Sequence, residues 1–372
     1  MPGRTIHIGT FAGIPFGVQP LWPVIVAVIT LVLATGWYPQ QVDGIPPAAA
    51  WALGGLSALL LFASVVAHEY GHALVARRHD VEVEGIDLWL LGGVAKIRGT
   101  ARRPQDELAY AIAGPAVTAV IAAISGGVLL LLPAGTALYA LVAYQTLVNV
   151  VLLVFNLLPA FPLDGGRVLH ALLWWRRDDR LTATAQAAAV GRAFGLGFIA
   201  LGVLQVAAGY PGGLWLAVIG WFVVMAGGAE ALHAEVEEVF TGVRARELMS
   251  TPAVCLPLTA TAADAVDLVL HEPHPAFPAL DGGRVAGLVP VSALEHVPAP
   301  ERNSVLVAAL VDRDPALLVA PDADVAALLD EPGFARLQRA AVVDGEGRPL
   351  GVLSITDVQR AFEARRRLVA AT

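Results

Sequence analysis

The stretch from Ala50 to Arg78, AWALGGLSALLLFASVVAHEYGHALVARR, decides the reading of this chain. Its apolar run is long enough to cross a bilayer, which takes about 20 residues of helix. Near its end stands His68-Glu69-Tyr70-Gly71-His72. On a helix, positions i and i+4 share a face, so both imidazoles can reach one ion, while Glu69 stands one residue round, close enough to handle a neighbouring water. An ionisable side chain inside a spanning helix costs about 2.5–3.5 kcal/mol on insertion scales, so three together at membrane depth need a reason. The bland alternative is a polar helix end snorkelling to the interface beside Arg77 and Arg78.

Outward from this run, the 372 residues are 56% hydrophobic with a mean hydropathy of +0.66, above the ordinary globular range. Residues 1–236 hold 12 Lys/Arg and 13 Asp/Glu, clustered between long apolar runs, whereas 237–372 hold 12 and 19, so most of the net charge of −8 sits in the tail. That split describes a membrane half followed by an acidic soluble half and gives no basic surface for nucleic acid. The one cysteine, Cys255, excludes an intramolecular disulfide and a cysteine zinc site. No cleavable leader is expected, because MPGRTIHIGTFAGIPFGVQP is mixed and turn-rich.

Spans are expected near 20–38, 50–76, 107–132, 137–158, 184–208 and 212–234. Connectors 39–49, 133–136 and 209–211 lack Lys and Arg. Connectors 77–106 and 159–183 contain Arg77, Arg78, Lys96, Arg98, Arg102, Arg103, Arg167, Arg176, Arg177 and Arg180. The positive-inside rule puts the second class in the cytosol, and with them the N-terminus, where Arg4 agrees, and the tail.

A catalytic zinc usually takes three protein ligands and leaves a fourth position to water. His7, His79 and His233 fall at segment ends and His271, His274 and His296 in the tail, so a carboxylate is the better third candidate. Asp164 lies in Asn156-Leu-Leu-Pro159-Ala-Phe-Pro162-Leu-Asp164-Gly-Gly-Arg167, where the prolines stop the fourth span and Gly165-Gly166 suit tight turns. Irregular backbone at that depth belongs where protein buries it or it lines a wet cavity. Asp164 would equally suit the N-cap of a helix over Arg167–Trp175. The run Val81–Arg98, VEVEGIDLWLLGGVAKIR, has partial alternation and a Gly92-Gly93 break. It suggests a β-hairpin or re-entrant strand, either receiving an unwound substrate by strand addition or serving as an ordinary cytosolic hairpin.

His68-Glu69-x-x-His72, followed by Asn156-x2-Pro159-x2-Pro162-x-Asp164-Gly165, resembles the site-2 protease family over residues 1 to about 236. The resemblance implies one Zn2+ per chain held by His68, His72 and Asp164. It makes Glu69 the general base and has Asn156 contact the substrate or the oxyanion. It also implies an intramembrane zinc metalloprotease that hydrolyses single-span, membrane-anchored proteins within or near the bilayer. The family's sporulation-protease branch has six spans, a C-terminal CBS domain and no PDZ domain, and no PDZ-length insertion occurs here.

From Val243 the chain alternates short β-branched runs with amphipathic helices, and it repeats. Arg246-Glu-Leu-Met249 answers Val307-Ala-Ala-Leu310, and Gly287-Leu-Val-Pro-Val answers Gly351-Val-Leu-Ser354-Ile, offsets of 61 and 64 residues (307 − 246 and 351 − 287). These units resemble a pair of CBS domains, which commonly bind adenosine nucleotides in the clefts between modules. That implies an ATP or AMP site at Gly351, Ser354 and Asp357; the first unit has Pro290 and Ala293 at the matching positions. A pair serving only for docking or homodimerisation is the alternative.

The expected fold class is therefore a polytopic α-helical membrane protein with about six transmembrane helices and a small β-hairpin or re-entrant element, then a C-terminal α/β tandem CBS domain. Its parts are 1–236 (protease), 243–297 and 304–366 (CBS units). The Arg- and Ala-rich composition with one lysine suits a high-GC bacterial cell membrane, where by analogy the substrate is an anti-sigma or pro-sigma factor. The stiff Glu230–Phe240 connection would carry nucleotide regulation from the tail. A CBS-regulated transporter would spread ionisable residues over several spans or show repeats in the membrane half, and neither occurs. An inactive membrane scaffold would lack core motif residues, and all are present.

Overall fold

The computed structural model describes residues 5–89, 92–98, 101–272, 274–329 and 331–369. Arg4, Leu90 and Leu91 therefore lie outside the described residues. Two compact units divide the chain, Met1–Leu232 and His233–Thr372.

In the first unit, β1 (Ile6–Phe11) and β2 (Ile14–Val18) form a hairpin. Ala12 and Gly13 turn it with φ of 51° and 76°, the left-handed pair that matches strand twist in two-residue hairpins. Helix α1 (Trp22–Val32), a π-helical turn (Leu33–Trp37) and α2 (Tyr38–Gln41) make the first span. Helix α3 (Pro47–Arg78) is the second. After it, β3 (Glu82–Trp89) pairs parallel with β2 and antiparallel with β4 (Gly92–Arg98), so the sheet order is β1-β2-β3-β4 with β1 and β4 at its edges. Helices α4 (Pro104–Leu129), α5 (Ala137–Asn156), α6 (Asp164–Arg177) and α7 (Arg180–Ala207) follow, then α8 (Gly213–Phe240), whose residues from His233 on belong to the second unit. Among the described residues, six helical segments are long and apolar enough to cross a membrane, and α6 is not one of them.

The polytopic architecture agrees with the expected class. The N-terminal hairpin does not follow from the sequence, because Gly9, Gly13, Gly17 and Pro15 break its alternation. Its other partner lies 70 residues away, Phe16 opposite Ile86. Gly92 and Gly93 are not a break: both sit within β4, and Gly93 pairs with Leu88. Gly165 and Gly166 are not turn residues either. They occupy the first turn of α6, where a Cβ would stand 2.4 Å from the Leu157 carbonyl or 2.5 Å from the Phe161 nitrogen. Only glycine lets the loop 157–161 lie directly on the helix.

Helix α3 buries Gly54, Ser57, Ala58, Phe62, Ser64, His68, His72 and Ala76 along one stripe at helical spacing. Ser64 accepts from Gln145 (2.6 Å) and Asn149 (3.4 Å) of α5, joining those spans by hydrogen bonds. Gly71 lets α4 approach, since a Cβ there would meet the Ala113 carbonyl at 2.9 Å.

The second unit holds α9 (Ala245–Leu248), β5 (Leu256–Pro257), α10 (Ala262–His271), β6 (Ala276–Asp281), β7 (Arg284–Pro290) and α11 (Val291–Glu295). Then come β8 (Leu318–Val319), α12 (Val325–Leu329), α13 (Pro332–Leu337), β9 (Arg339–Val343), β10 (Pro349–Ser354) and α14 (Ile355–Val369). Two three-stranded sheets, β5-β6-β7 and β10-β9-β8, back onto a shared apolar cluster including Leu288, Leu317, Leu337 and Ala341. The segment leading into the first sheet packs on the second module: Ala245 and Arg246 donate to the carbonyls of Ala323 and Pro321, and Ser250 pairs with Val352.

Candidate metal centre

His68 and His72, one turn apart on α3, meet Asp164 at the first position of α6. His68 Nε2 lies 3.1 Å from Asp164 Oδ2, His72 Nε2 lies 3.2 Å from Oδ1, and the two Nε2 atoms are 3.0 Å apart. Both histidines are buried and Asp164 is nearly so. The N-cap of α6 is Leu163, so Asp164 does not cap the helix and aims its carboxylate at the imidazoles instead. Among the described residues this is the one His/Cys/Asp/Glu group of three with its polar atoms gathered closely enough for an ion.

The surroundings fit a cation. His72 Nδ1 lies 2.7 Å from the Tyr110 carbonyl, which can only accept, so the proton is on Nδ1 and the Nε2 lone pair faces the centre. His68 Nδ1 is held at 2.9 Å by Thr118 Oγ1. A carboxylate and two imidazole Nε2 atoms, each ring held at its other nitrogen, thus converge on one point. Gly114 of α4 keeps that point open: a Cβ there would stand 2.2 Å from His72 Nε2 and 2.7 Å from His68 Nε2.

Glu69 is half-buried on the same turn of α3, and β4 runs beside it, since a Cβ on Gly93 would meet Glu69 Cγ at 2.6 Å. Asn156 is half-buried as the last residue of α5. In the second unit, Ser354 and Asp357 lie together at the start of α14, while Gly351 is covered by Met249 and Ser250. The Asp357 carboxylate already accepts from Ser250 Oγ (3.0 Å), Arg360 Nη2 (3.2 Å) and the Ser354 backbone nitrogen (3.1 Å).

Peptidase family M50 matches the chain over residues 56–137 and 133–200, and the CBS domain family over 245–297 and 307–364. A protein named as zinc metalloprotease Rip3, from Mycobacterium tuberculosis, is 37% identical over 97% of this chain and 93% of its own length. The chain belongs to peptidase family M50, the site-2 proteases. A zinc metalloprotease of Methanocaldococcus jannaschii is 30% identical, covering 82% of this chain and 84% of that protein. A solved site-2 protease from the same organism aligns at 28% identity with a TM-score of 0.41, over 61% of this chain and 95% of that one. The chain itself is a multi-pass membrane zinc metalloprotease with a CBS-domain tail.

Sequence reasoning passed over α4, whose Tyr110, Gly114 and Thr118 orient or make room for the histidines. It also passed over His170 and Glu107, which pair inside the same unit. The available signal was weak. Glu107 looks like an ordinary acid in the first turn of a helix, and His170, six residues after Asp164, belongs to no motif.

Proposed function

We propose that His68, His72 and Asp164 hold the zinc, and that Glu69 and Asn156 act with it in cleaving membrane-anchored proteins. The observation that carries this reading is the convergence of three buried ligand atoms under Gly114. Zinc bound there supplies a Lewis acid and a water acidified to near-neutral pH. Glu69, one residue round the helix from His68, takes the proton of the attacking water and returns it to the leaving amine. The Asn156 amide donates to the developing oxyanion.

A helical substrate hides its carbonyls in hydrogen bonds, so one segment must unwind before hydrolysis. β4 is the edge strand that passes Glu69, which supports an unwound substrate segment pairing along that edge. The arginine distribution supports a cytosolic N-terminus and tail, with single-span proteins of the anti-sigma or pro-sigma type as substrates by analogy. The division into 1–236, 243–297 and 304–366 belongs to this reading. So does a CBS pair that dimerises or takes ATP or AMP at Gly351, Ser354 and Asp357. A nucleotide there must displace Ser250 or Arg360 from the Asp357 carboxylate.

Glu69→Gln tests the chemistry. It keeps size and hydrogen-bonding reach but cannot take up a proton, so cleavage of a co-reconstituted membrane substrate should vanish while zinc stays bound. Substantial residual cleavage by the purified variant would remove Glu69 from the role.

A further inference from the structure

Behind the ligand set lies a second buried polar group that the reaction does not use. His170 of α6 is 4% exposed and Glu107 of α4 is 6% exposed, and they meet at 2.8 Å through Nδ1 and Oε2. The other ring nitrogen, Nε2, lies 3.0 Å from Thr184 Oγ1 of α7. That hydroxyl donates its single proton to the Arg180 carbonyl at 2.9 Å, so toward His170 it is the acceptor and Nε2 carries a hydrogen. Nδ1 and Glu107 Oε2 then share one further proton. Whether imidazolium faces carboxylate or imidazole faces acid, the pair is neutral overall and both ring nitrogens are partnered. Phe161 and Trp174 flank the imidazole, each ring centroid 6.0 Å away.

A buried pair of this kind adds little net stability, because desolvation offsets most of its attraction; what it confers is geometry. One face of α4 carries Glu107, Tyr110, Gly114 and Thr118, spaced three, four and four residues apart. Tyr110 and Thr118 orient His72 and His68, and Gly114 opens the space between them. Those three contacts register α4 against α3. Glu107 makes the matching contact to α6, the helix that begins with Asp164, and His170 sits six residues along it, about 9 Å at helical rise. Thr184 ties the same imidazole to α7.

We infer that Glu107 and His170, anchored by Thr184, are positioning residues that set the reach of Asp164 to the metal. This rests on Asp164 being the third ligand. Groups that hydrogen-bond a metal ligand carry a 10–100-fold effect on metal affinity, and Glu107 and His170, which act through α6 and not on Asp164 directly, belong at the lower end of that range.

The test uses the full chain in detergent, with zinc affinity read by competition against a chromophoric chelator and Tm read on the same samples. Glu107→Ala and His170→Ala should each weaken zinc binding about tenfold or more. The double alanine variant should be no weaker than the worse single one. His170→Asn, whose Nδ2 can replace the ring Nδ1, and Glu107→Gln, whose amide can donate to a neutral ring, should restore most of the affinity. Unchanged affinity in the alanine variants, additive losses, or conservative variants no better than alanine would overturn the inference. If the alanine variants do not fold, Thr184→Val decides: weaker zinc binding at unchanged Tm supports the device, and wild-type affinity overturns it. Asp164→Asn in the same assay separates the two levels. If it loses zinc while the Glu107 and His170 variants do not, only the positioning role fails; if it keeps zinc, the ligand assignment itself has failed.

Discussion

Gly114→Ala should empty the metal centre without unfolding the helix that carries it. The added Cβ would stand 2.2 Å from His72 Nε2, 2.6 Å from His72 Cε1 and 2.7 Å from His68 Nε2, where ordinary contact begins near 3.4 Å. The shortfall is about 1.2 Å (3.4 − 2.2), and the atoms in the way are two proposed ligands, each pinned at its other ring nitrogen. Metal sites keep ligand distances within about 0.2 Å, so a shift several times larger cannot be absorbed. An outer-shell loss is worth 10–100-fold in metal affinity, and moving the ligands themselves should exceed the upper figure. Helix propensity works the other way, favouring Ala over Gly by up to about 1 kcal/mol. Gly127→Ala in the same helix has nothing within 4 Å of the new Cβ and serves as the control. Chelator competition and residual cleavage in detergent are the assays: Gly114→Ala should lose both zinc and activity, and Gly127→Ala neither. Full zinc affinity in Gly114→Ala would mean that the metal does not sit between those nitrogens in the native protein.

Asp164→Asn should weaken zinc retention together with activity, since a neutral amide is a much poorer ligand than a carboxylate; metal analysis of the purified variant checks this. Asn156→Ala should cut the turnover rate by about 10²–10³ and leave zinc in place, as expected for a lost oxyanion donor, read by cleavage kinetics beside metal content. Adenine nucleotide should bind the full chain in calorimetry and change its cleavage rate, and Asp357→Ala should weaken that binding. No heat at millimolar nucleotide would leave the tail as a docking or dimerisation module.

The parts legible in the sequence are those with local causes. Apolar runs near 20 residues marked the spans because the bilayer dictates length. His68 and His72 stand out by helical spacing, whereas Asp164 suits a metal ligand and a helix cap equally until the resemblance to a family chooses between them. What stayed hidden depends on residues distant in sequence. Glu107 and His170 are 63 positions apart (170 − 107), and neither sits in a motif. Gly114 looks like one more small residue in a transmembrane helix until its neighbours are known. The β1–β2 hairpin takes its place from parallel pairing with β3, which no periodicity in a glycine-rich stretch discloses. The first CBS unit also lacks a counterpart to the cap of the second for a readable reason: Pro290 N-caps α11 without a side-chain bond, where Ser354 and Asp357 bond reciprocally.

The central claim is one catalytic zinc held by His68, His72 and Asp164. Its most direct test is metal content by inductively coupled plasma mass spectrometry on the full chain, purified in detergent without chelator. One zinc per chain is expected in the unaltered protein and in Glu69→Gln, falling to near zero in His68→Ala and His72→Ala at unchanged Tm. Zinc retained at one per chain in both histidine variants would place the metal elsewhere and contradict the account.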